Sequence, residues 1–586
     1  MLNNYPSLSL ILIINVAIAV VTILYLPYLF TLLIILYVLV LFFTVFKIKT
    51  LNSSLALFGI LTACLWLRIF PYVDGIPLGV DPIRDIIYSY NVISKARLIY
   101  NMPYFVKYYE YFPATQLLPS INAIVSGLDI TYAHYLTLST LSSLGIIPLI
   151  LILRNVAKLQ ARLIILAGLL YATIPTIATW GYWVIPMTFS ILLSIFSLMF
   201  FTKYVKDYRL EFIVLSLAFS MLSVMVHAVV GALTLGFYIV YTIAIYFSIR
   251  KHKNTNTALL KPLTLYSTIL AAYTVFYWNM VGFIPYLTRY VSLSYLRVIR
   301  ILGKPLKLAV HGTHSVILPT TLKISVTPSY PQILEFMPKE YPMIYIAPRW
   351  MWSILIATLP LLLLIIMRKK KVKTNTFTLT LGIYSVLVLL FTALSIYLNI
   401  VWKADRYLAS PITPYVIIFI VASFYAIIKY KVNMRLGSFL ATLMLILVIA
   451  SVLDPRVSFY TNPAEGDRVS FKPSEKLASK YLFSTWNTGY IISDHGLMTS
   501  YLRYLATLNN LTRIEVSFCS LRYRLSKKLW NKDWVFLFRK YSVESYYIWS
   551  LNYAGKPQVV NEVFYKTNLV YDNRECFIFK SIAAKK

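Results

Sequence analysis

Two carboxylates four residues apart, Asp81 and Asp85, stand in the stretch GVDPIRD at 79–85, directly after an apolar run. The chain has 21 acidic and 55 basic residues. Acids are therefore scarce, and ionised carboxylates at the face of an apolar layer are costly unless they bind something. On a helix an i, i+4 pair lies on one face. Two carboxylates there could hold a cation or take a proton from an acceptor. Further candidates are Glu110 in YYEYFPATQLL (108–118), Arg406 in DRYLASP (405–411) and Trp486, Gly489 and Tyr490 in TWNTGYII (485–492). Arg297 and Arg300 lie in the basic stretch TRYVSLSYLRVIRILGKPLK (288–307). Each has a plainer reading. Asp81 caps a helix, Asp85 pairs with Arg84, and Arg406 pairs with Asp405 or anchors a helix end. The basic stretch reads as an amphipathic surface helix against lipid headgroups.

The elements that must carry these residues are apolar. Of the 586 residues 59% are hydrophobic, more than a soluble protein of this size could hide. About thirteen stretches are long enough to span a bilayer as helices. The first lies near 8–26 and the last near 436–453, with 132–153 and 161–180 among them. The formal charge of +34 would suggest nucleic acid in a soluble chain. Here the cations fall in short loops between apolar stretches, so membrane lipids are expected as partners and nucleic acid is not.

Those loops orient the chain. With the N-terminus in the cytoplasm, Lys47, Lys49, Arg154, Lys158, Lys203, Lys206, Arg250, Lys251, Arg368, Lys369, Lys429 and Lys431 all fall inside. Residues 1–453 then form a transmembrane domain with outer loops at 71–131 and 285–349. Residues 454–586 form an extracytoplasmic soluble domain of mixed α/β character. In it SEKLASKYLF reads as a helix, and VFLF, PQVVNEVFY and ECFIFK read as strands. In the first outer loop a helix is expected over 82–99, with Asp81 as its N-cap and Pro82 at its first position. The fold class is thus a polytopic α-helical membrane protein with a C-terminal outer domain.

This layout resembles the GT-C glycosyltransferases, most closely the catalytic subunit of archaeal and eukaryotic oligosaccharyltransferase. The resemblance rests on GVDPIRD, YYEYFPATQLL, KISVTPSYP (323–331), DRYLASP and TWNTGYII, in the family's order. It implies that Asp81 helps to hold a divalent metal, Mg or Mn, and an acceptor. It implies that Arg406 lies near the acceptor and that Trp486, Gly489 and Tyr490 belong to an acceptor clamp. The donor would be a polyprenyl-linked sugar, and the acceptor a protein, glycan or lipid. The chain departs from the family where Thr485, Asn487 and Thr488 replace Trp, Asp and Tyr, and where Pro328 stands at a glutamate position. Two rival readings fit those departures: a GT-C enzyme moving a single sugar to a lipid or glycan, and a degenerate scaffold of a glycosylation or surface-assembly complex.

Cys519 and Cys576 both fall in the C-terminal domain and read either as a disulfide or as two buried thiols. Asn510-Leu511-Thr512 is a glycosylation sequon on the expected outer side, and Asn52-Ser53-Ser54 is one on the inner side. The orientation is testable. A cysteine placed at Val560 should react with a membrane-impermeant reagent in intact cells, and Asn52 should carry no sugar. A shielded residue 560, or sugar on Asn52, would reverse the topology.

Overall fold

The structure, a computed structural model, describes residues 5–24, 26–47, 53–72, 80–96, 112–157, 161–182, 185–251, 257–285, 287–288, 343–372, 374–397, 408–429, 434–453, 473–493, 496–511, 513–518, 534–539, 547–548, 553–554, 567–574 and 576–581. The chain forms two compact units. One comprises Met1–Asp74 and Tyr100–Thr461, the other Gly75–Ile99 and Asn462–Lys586.

In chain order the helices are α1 (Tyr5–Ile23), α2 (Pro27–Lys47), α3 (Ser53–Ile69), α4 (Val80–Lys95), α5 (Ala114–Ser126), α6 (Ile130–Leu144), α7 (Ile146–Ala157), α8 (Ala161–Thr173), α9 (Pro175–Tyr182), α10 (Pro186–Asp207), α11 (Leu210–Val226), α12 (Ala228–Lys251), α13 (Thr257–Met280), α14 (Met343–Lys369), α15 (Thr376–Tyr397), α16 (Ser410–Lys429), α17 (Met434–Val452), α18 (Pro473–Thr485) and α19 (Gly496–Leu508). All belong to the first unit except α4, α18 and α19.

Each apolar stretch read from the sequence contains helix. Among the described residues six runs are long and apolar enough to cross a membrane: Ile130–Val156 through α6 and α7, then within α10, α12, α13, α15 and α16. Shorter apolar helices are α1, α2, α3, α11 and α17. Many of their large side chains face outward, such as Ile13, Val16, Ile23, Leu210 and Phe276. In water such faces would drive aggregation, whereas in lipid they are at rest. The chain is a polytopic helical membrane protein.

Two of the expected spans are interrupted. The stretch 161–180 breaks between α8 and α9 at Pro175, which has no N–H to donate and clashes with the preceding turn. The stretch 132–153 breaks at Gly145. There the Tyr171 hydroxyl donates to the Ser142 carbonyl at 3.0 Å, and a Cβ on Gly145 would strike that hydroxyl.

The interior of the first unit is threaded with hydroxyls. Ser190, Ser194 and Ser197 repeat at i, i+4, i+7 along α10, and Ser216, Ser220 and Ser223 do the same along α11. Ser190 meets Ser223 at 2.9 Å and Ser197 meets Ser220 at 2.6 Å. Tyr238 of α12 reaches Ser197 at 2.6 Å, and Tyr266 of α13 reaches Ser220 at 2.8 Å and Ser216 at 3.0 Å. Thr234 donates to Ser194 at 2.8 Å, and Tyr415 of α16 sits 2.5 Å from the same oxygen. Small residues let the backbones approach and the hydroxyls satisfy one another away from water. At Gly231 backbone meets backbone closely, since a Cβ would lie 2.6 Å from Val224 Cα.

The second unit contains a five-stranded sheet in the order β2-β1-β3-β7-β6, built from β1 (Gly489–Ser493), β2 (Ile514–Phe518), β3 (Trp534–Arg539), β6 (Thr567–Asp572) and β7 (Cys576–Ser581). A separate two-stranded ladder joins β4 (Tyr547–Ile548) to β5 (Tyr553–Ala554). β1 runs parallel to β2 and β3, while β7 runs antiparallel to β3 and β6. A parallel neighbour needs a crossover, and α19 supplies it between β1 and β2. The expected helix SEKLASKYLF lies within α18, VFLF within β3, and ECFIFK overlaps β7; PQVVNEVFY falls outside the described residues. β1, β2, β4, β5, β6 and α19 are elements that the sequence reading did not assign.

Close packing predicts which substitutions matter. Gly231→Ala should lower the stability of detergent-solubilised protein by about 1–3 kcal/mol, because backbone must move. Tyr266→Phe should cost roughly 0.6–1.7 kcal/mol, the range for one interhelical hydroxyl bond in a membrane bundle. Thermal unfolding of the purified variants checks both. An unchanged melting temperature for Gly231→Ala would contradict the close α11–α12 approach.

Candidate functional site

The acid pair lies on α4, which belongs to the same unit as the C-terminal sheet. Its apolar residues Ile83, Ile86 and Ile87 follow the helical i, i+3, i+4 spacing and are buried. The helix packs along α19. At the end of α19 the N–H of Leu511 bonds the Ala506 carbonyl at 2.9 Å and that of Asn510 bonds the Thr507 carbonyl at 3.1 Å. Asn510 takes φ +52°. This is a Schellman cap with Asn in the left-handed position. The Tyr90 hydroxyl of α4 donates to the Asn510 carboxamide oxygen at 3.2 Å. The sequon asparagine is exposed, and its side chain ties α4 to α19.

α4 starts at Val80, two residues before the expected start, and ends four residues before the expected end at 99. Asp81 therefore sits inside the first turn instead of capping it. Its negative charge is still well placed there against the helix dipole. The Arg84 guanidinium forms an ion pair with Asp81, whose side chain is 14% exposed. Asp85, one turn on, is fully buried. The Ser89 hydroxyl donates to the Asp85 backbone carbonyl at 2.9 Å.

Among the described residues no group of three His, Cys, Asp or Glu side chains gathers to hold an ion. One oxygen of Asp81 already faces the Arg84 guanidinium.

The segment TWNTGYII forms the turn from α18 into the sheet. The Trp486 N–H bonds the Leu482 carbonyl at 2.8 Å, ending the helix. The Trp486 ring is half-exposed, with Lys580 Nζ 4.6 Å from its centroid. Gly489 adopts φ +106°, a conformation that side chains resist, and its N–H bonds the Arg513 carbonyl at 3.0 Å. Tyr490 is half-buried and pairs with Glu515 on one side and Trp534 on the other. Ile491, Ile492 and Ser493 then run into the core. The motif residues thus stand at the N-terminal edge of the parallel strands, with Asn487 and Thr488 exposed.

Asp81, Asp85, Trp486, Gly489 and Tyr490 share the second unit. Glu110, Arg297, Arg300, Arg406 and Cys519 lie outside the described residues. Cys576 opens β7, buried, with its N–H bonded to Asn573 Oδ1 at 2.7 Å. Sequence reasoning missed Arg68, a fully buried cation near the end of α3. Its signal was an arginine in the last turn of an otherwise apolar span.

No family model matches the chain, and no curated protein matches it. Among solved structures it is similar to ArnT from Cupriavidus metallidurans in the apo state, at 14% identity over 91% of this chain and 97% of that chain, with a TM-score of 0.49. The same protein bound to undecaprenyl phosphate matches at 11% identity over 91% and 98%, with a TM-score of 0.49. The Archaeoglobus fulgidus oligosaccharyltransferase in complex with Zn and sulfate matches at 12% identity over 89% of this chain and 72% of that chain, with a TM-score of 0.44.

The glycine at the motif turn gives a local test. Gly489→Ala forces a side chain into a strained backbone and should destabilise the second unit by about 1–3 kcal/mol. Limited proteolysis of the full-length protein should then cut within 462–586 faster than in the wild type. Equal cleavage rates would show that the turn relaxes.

Proposed function

We propose that this chain is a membrane glycosyltransferase of the GT-C type, moving a sugar or oligosaccharide from a polyprenyl-phosphate-linked donor to an acceptor at the extracytoplasmic face. The observation that carries this reading is the shared unit of α4 and the C-terminal domain. Asp81 and Asp85 come from one end of the chain and Trp486 to Tyr490 from the other. The motif resemblance gives those same segments the acid and the acceptor clamp.

The chemistry follows from carboxylate and phosphate. A carboxylate of α4 orients the acceptor nucleophile and takes its proton. The acceptor bonds to the anomeric carbon as the bond from that carbon to the phosphate oxygen breaks, and the phosphate leaves with the electron pair. Direct displacement inverts the anomeric centre. The ion pair with Arg84 fixes the direction of Asp81. The departures at Thr485, Asn487 and Thr488 favour, as a second reading, transfer of a single sugar to a lipid or glycan.

Asp81→Asn separates a chemical role from a structural one. Asn keeps the size but removes the charge and with it the ion pair to Arg84. Sugar transfer from a polyprenyl-linked donor in purified membranes should fall about a hundredfold or more if the charge acts on the reacting groups. Wild-type turnover in Asp81→Asn, with the protein folded, would remove Asp81 as the catalytic acid and turn attention to Asp85 and Glu110. Supplying peptide, glycan and lipid acceptors in parallel separates the two readings.

A further inference from the structure

In the second unit α18 is an amphipathic helix turned the unusual way round. Its residues Glu475, Ala478, Ser479 and Leu482 are buried and follow the i, i+3, i+4, i+7 spacing of one helical face. The opposite face repeats that spacing with Leu477, Lys480, Tyr481 and Ser484, all exposed. Leu477 is 59% exposed and Tyr481 37%. A surface helix ordinarily hides its leucines and shows its acids. Here the glutamate is inside, while a leucine and a tyrosine stand outside among lysines.

The outer face is held in shape. The Tyr481 ring stacks on Tyr571 of β6, with centroids 4.5 Å apart and planes 23° apart. Asn573 of the β6–β7 turn donates to the Ser474 carbonyl at 2.8 Å and to the Tyr571 hydroxyl at 3.3 Å. Next along the edge strand, Leu569 and Val570 are exposed as well. The charges on this side are largely of one sign. Lys476 is half-exposed, Lys480 and Lys580 are exposed, and Lys580 lies over the Trp486 ring that follows the helix. Arg574 and Asp572 share the turn, where the Asp572 carboxylate accepts from the Arg574 N–H at 2.6 Å, and their charges offset. Three lysines are left.

We propose that this face docks on an anionic lipid bilayer, with Leu477 and Tyr481 entering the headgroup layer and Lys476, Lys480 and Lys580 meeting lipid phosphates. An exposed aliphatic side chain, an aromatic ring with a polar tip and lysines on apolar stems are what an interfacial surface needs. The unit that carries them continues into the membrane-spanning unit at residues 74–75, 99–100 and 461–462, so the chain itself tethers it to a bilayer. A second copy docking through the same face would set lysine against lysine. A soluble glycan would offer no hydrocarbon to Leu477. The inference does not depend on the transferase reading.

The test uses full-length protein in nanodiscs, with Cys519→Ser to remove a background thiol and an environment-sensitive fluorophore on Ser484→Cys, on the outer face. In discs of mixed phosphatidylcholine and phosphatidylglycerol, headgroup spin-labelled lipid should quench the label and aqueous iodide should not. In phosphatidylcholine alone the lipid quenching should fall. The ratio of docked to undocked label should drop about fivefold for each lysine neutralised, hence about 25-fold in Lys476→Gln/Lys480→Gln. Leu477→Asn should lower it at unchanged charge. An iodide-exposed, unquenched label in the anionic discs overturns the proposal, and that result needs neither the lysine nor the leucine variant to fold. So does equal lipid quenching of a label at Asn509→Cys on α19, or quenching undiminished in both the lysine and the leucine variants. A response to a soluble anionic oligosaccharide but not to anionic lipid would also overturn it and assign the face to a glycan.

Discussion

The helices of the first unit carry side chains as apolar as the lipid around them, so hydrophobicity cannot tell a helix which neighbour to choose. Choice falls to the few groups that lipid cannot satisfy. The serines of α10 and α11, the tyrosines Tyr238, Tyr266 and Tyr415, and Thr234 have no partner in hydrocarbon. Each finds one on a facing helix. This network sets the register of α10, α11, α12, α13 and α16 against one another. It also explains why small residues crowd the contact: a bulkier side chain at Gly231 would hold the backbones apart and the hydroxyls out of reach. Arg68 is the same constraint in its most demanding form, a permanent charge in the same kind of surroundings.

A different logic builds the second unit. Its sheet buries Ile491, Ile492, Val535, Phe536, Leu537 and Ile578, and the ordinary hydrophobic effect supplies the driving force. The strand pairing is mixed, with a parallel half joined through α19 and an antiparallel half through the β6–β7 ladder. α4 adds to this core from a point far away in the chain, tied by its isoleucines and by the Tyr90–Asn510 bond. The position of Asp81 is thus set by a folded scaffold and not by the end of a membrane span. A helix held in this way fixes its acids more firmly than a loop tip could.

Much of this was legible in the residues, and the parts that were not share a cause. The apolar stretches were readable because length and hydropathy are properties of a segment alone. α18, β3 and β7 were readable for the same reason: periodicity and β-branched or aromatic content speak locally. The interruption at Pro175 has a purely local cause as well, although the reading ran through it. The break at Gly145 does not, because it exists to admit Tyr171 from another helix. β1 was hidden inside a motif read for its chemistry, since GYIIS becomes a strand only when β2 and β3 flank it.

The sequence by itself determined that the chain is a multi-span helical membrane protein with a mixed α/β C-terminal part. It also marked Asp81, Asp85 and the segment around Trp486 as places where chemistry could occur. Only the tertiary structure decided that α4 folds with the C-terminal sheet, that Asp85 is fully buried, and that Arg68 near the end of α3 is fully buried. Each of these depends on which distant segments meet. Hydropathy and spacing record what a residue prefers, whereas burial and pairing depend on neighbours contributed from elsewhere in the chain.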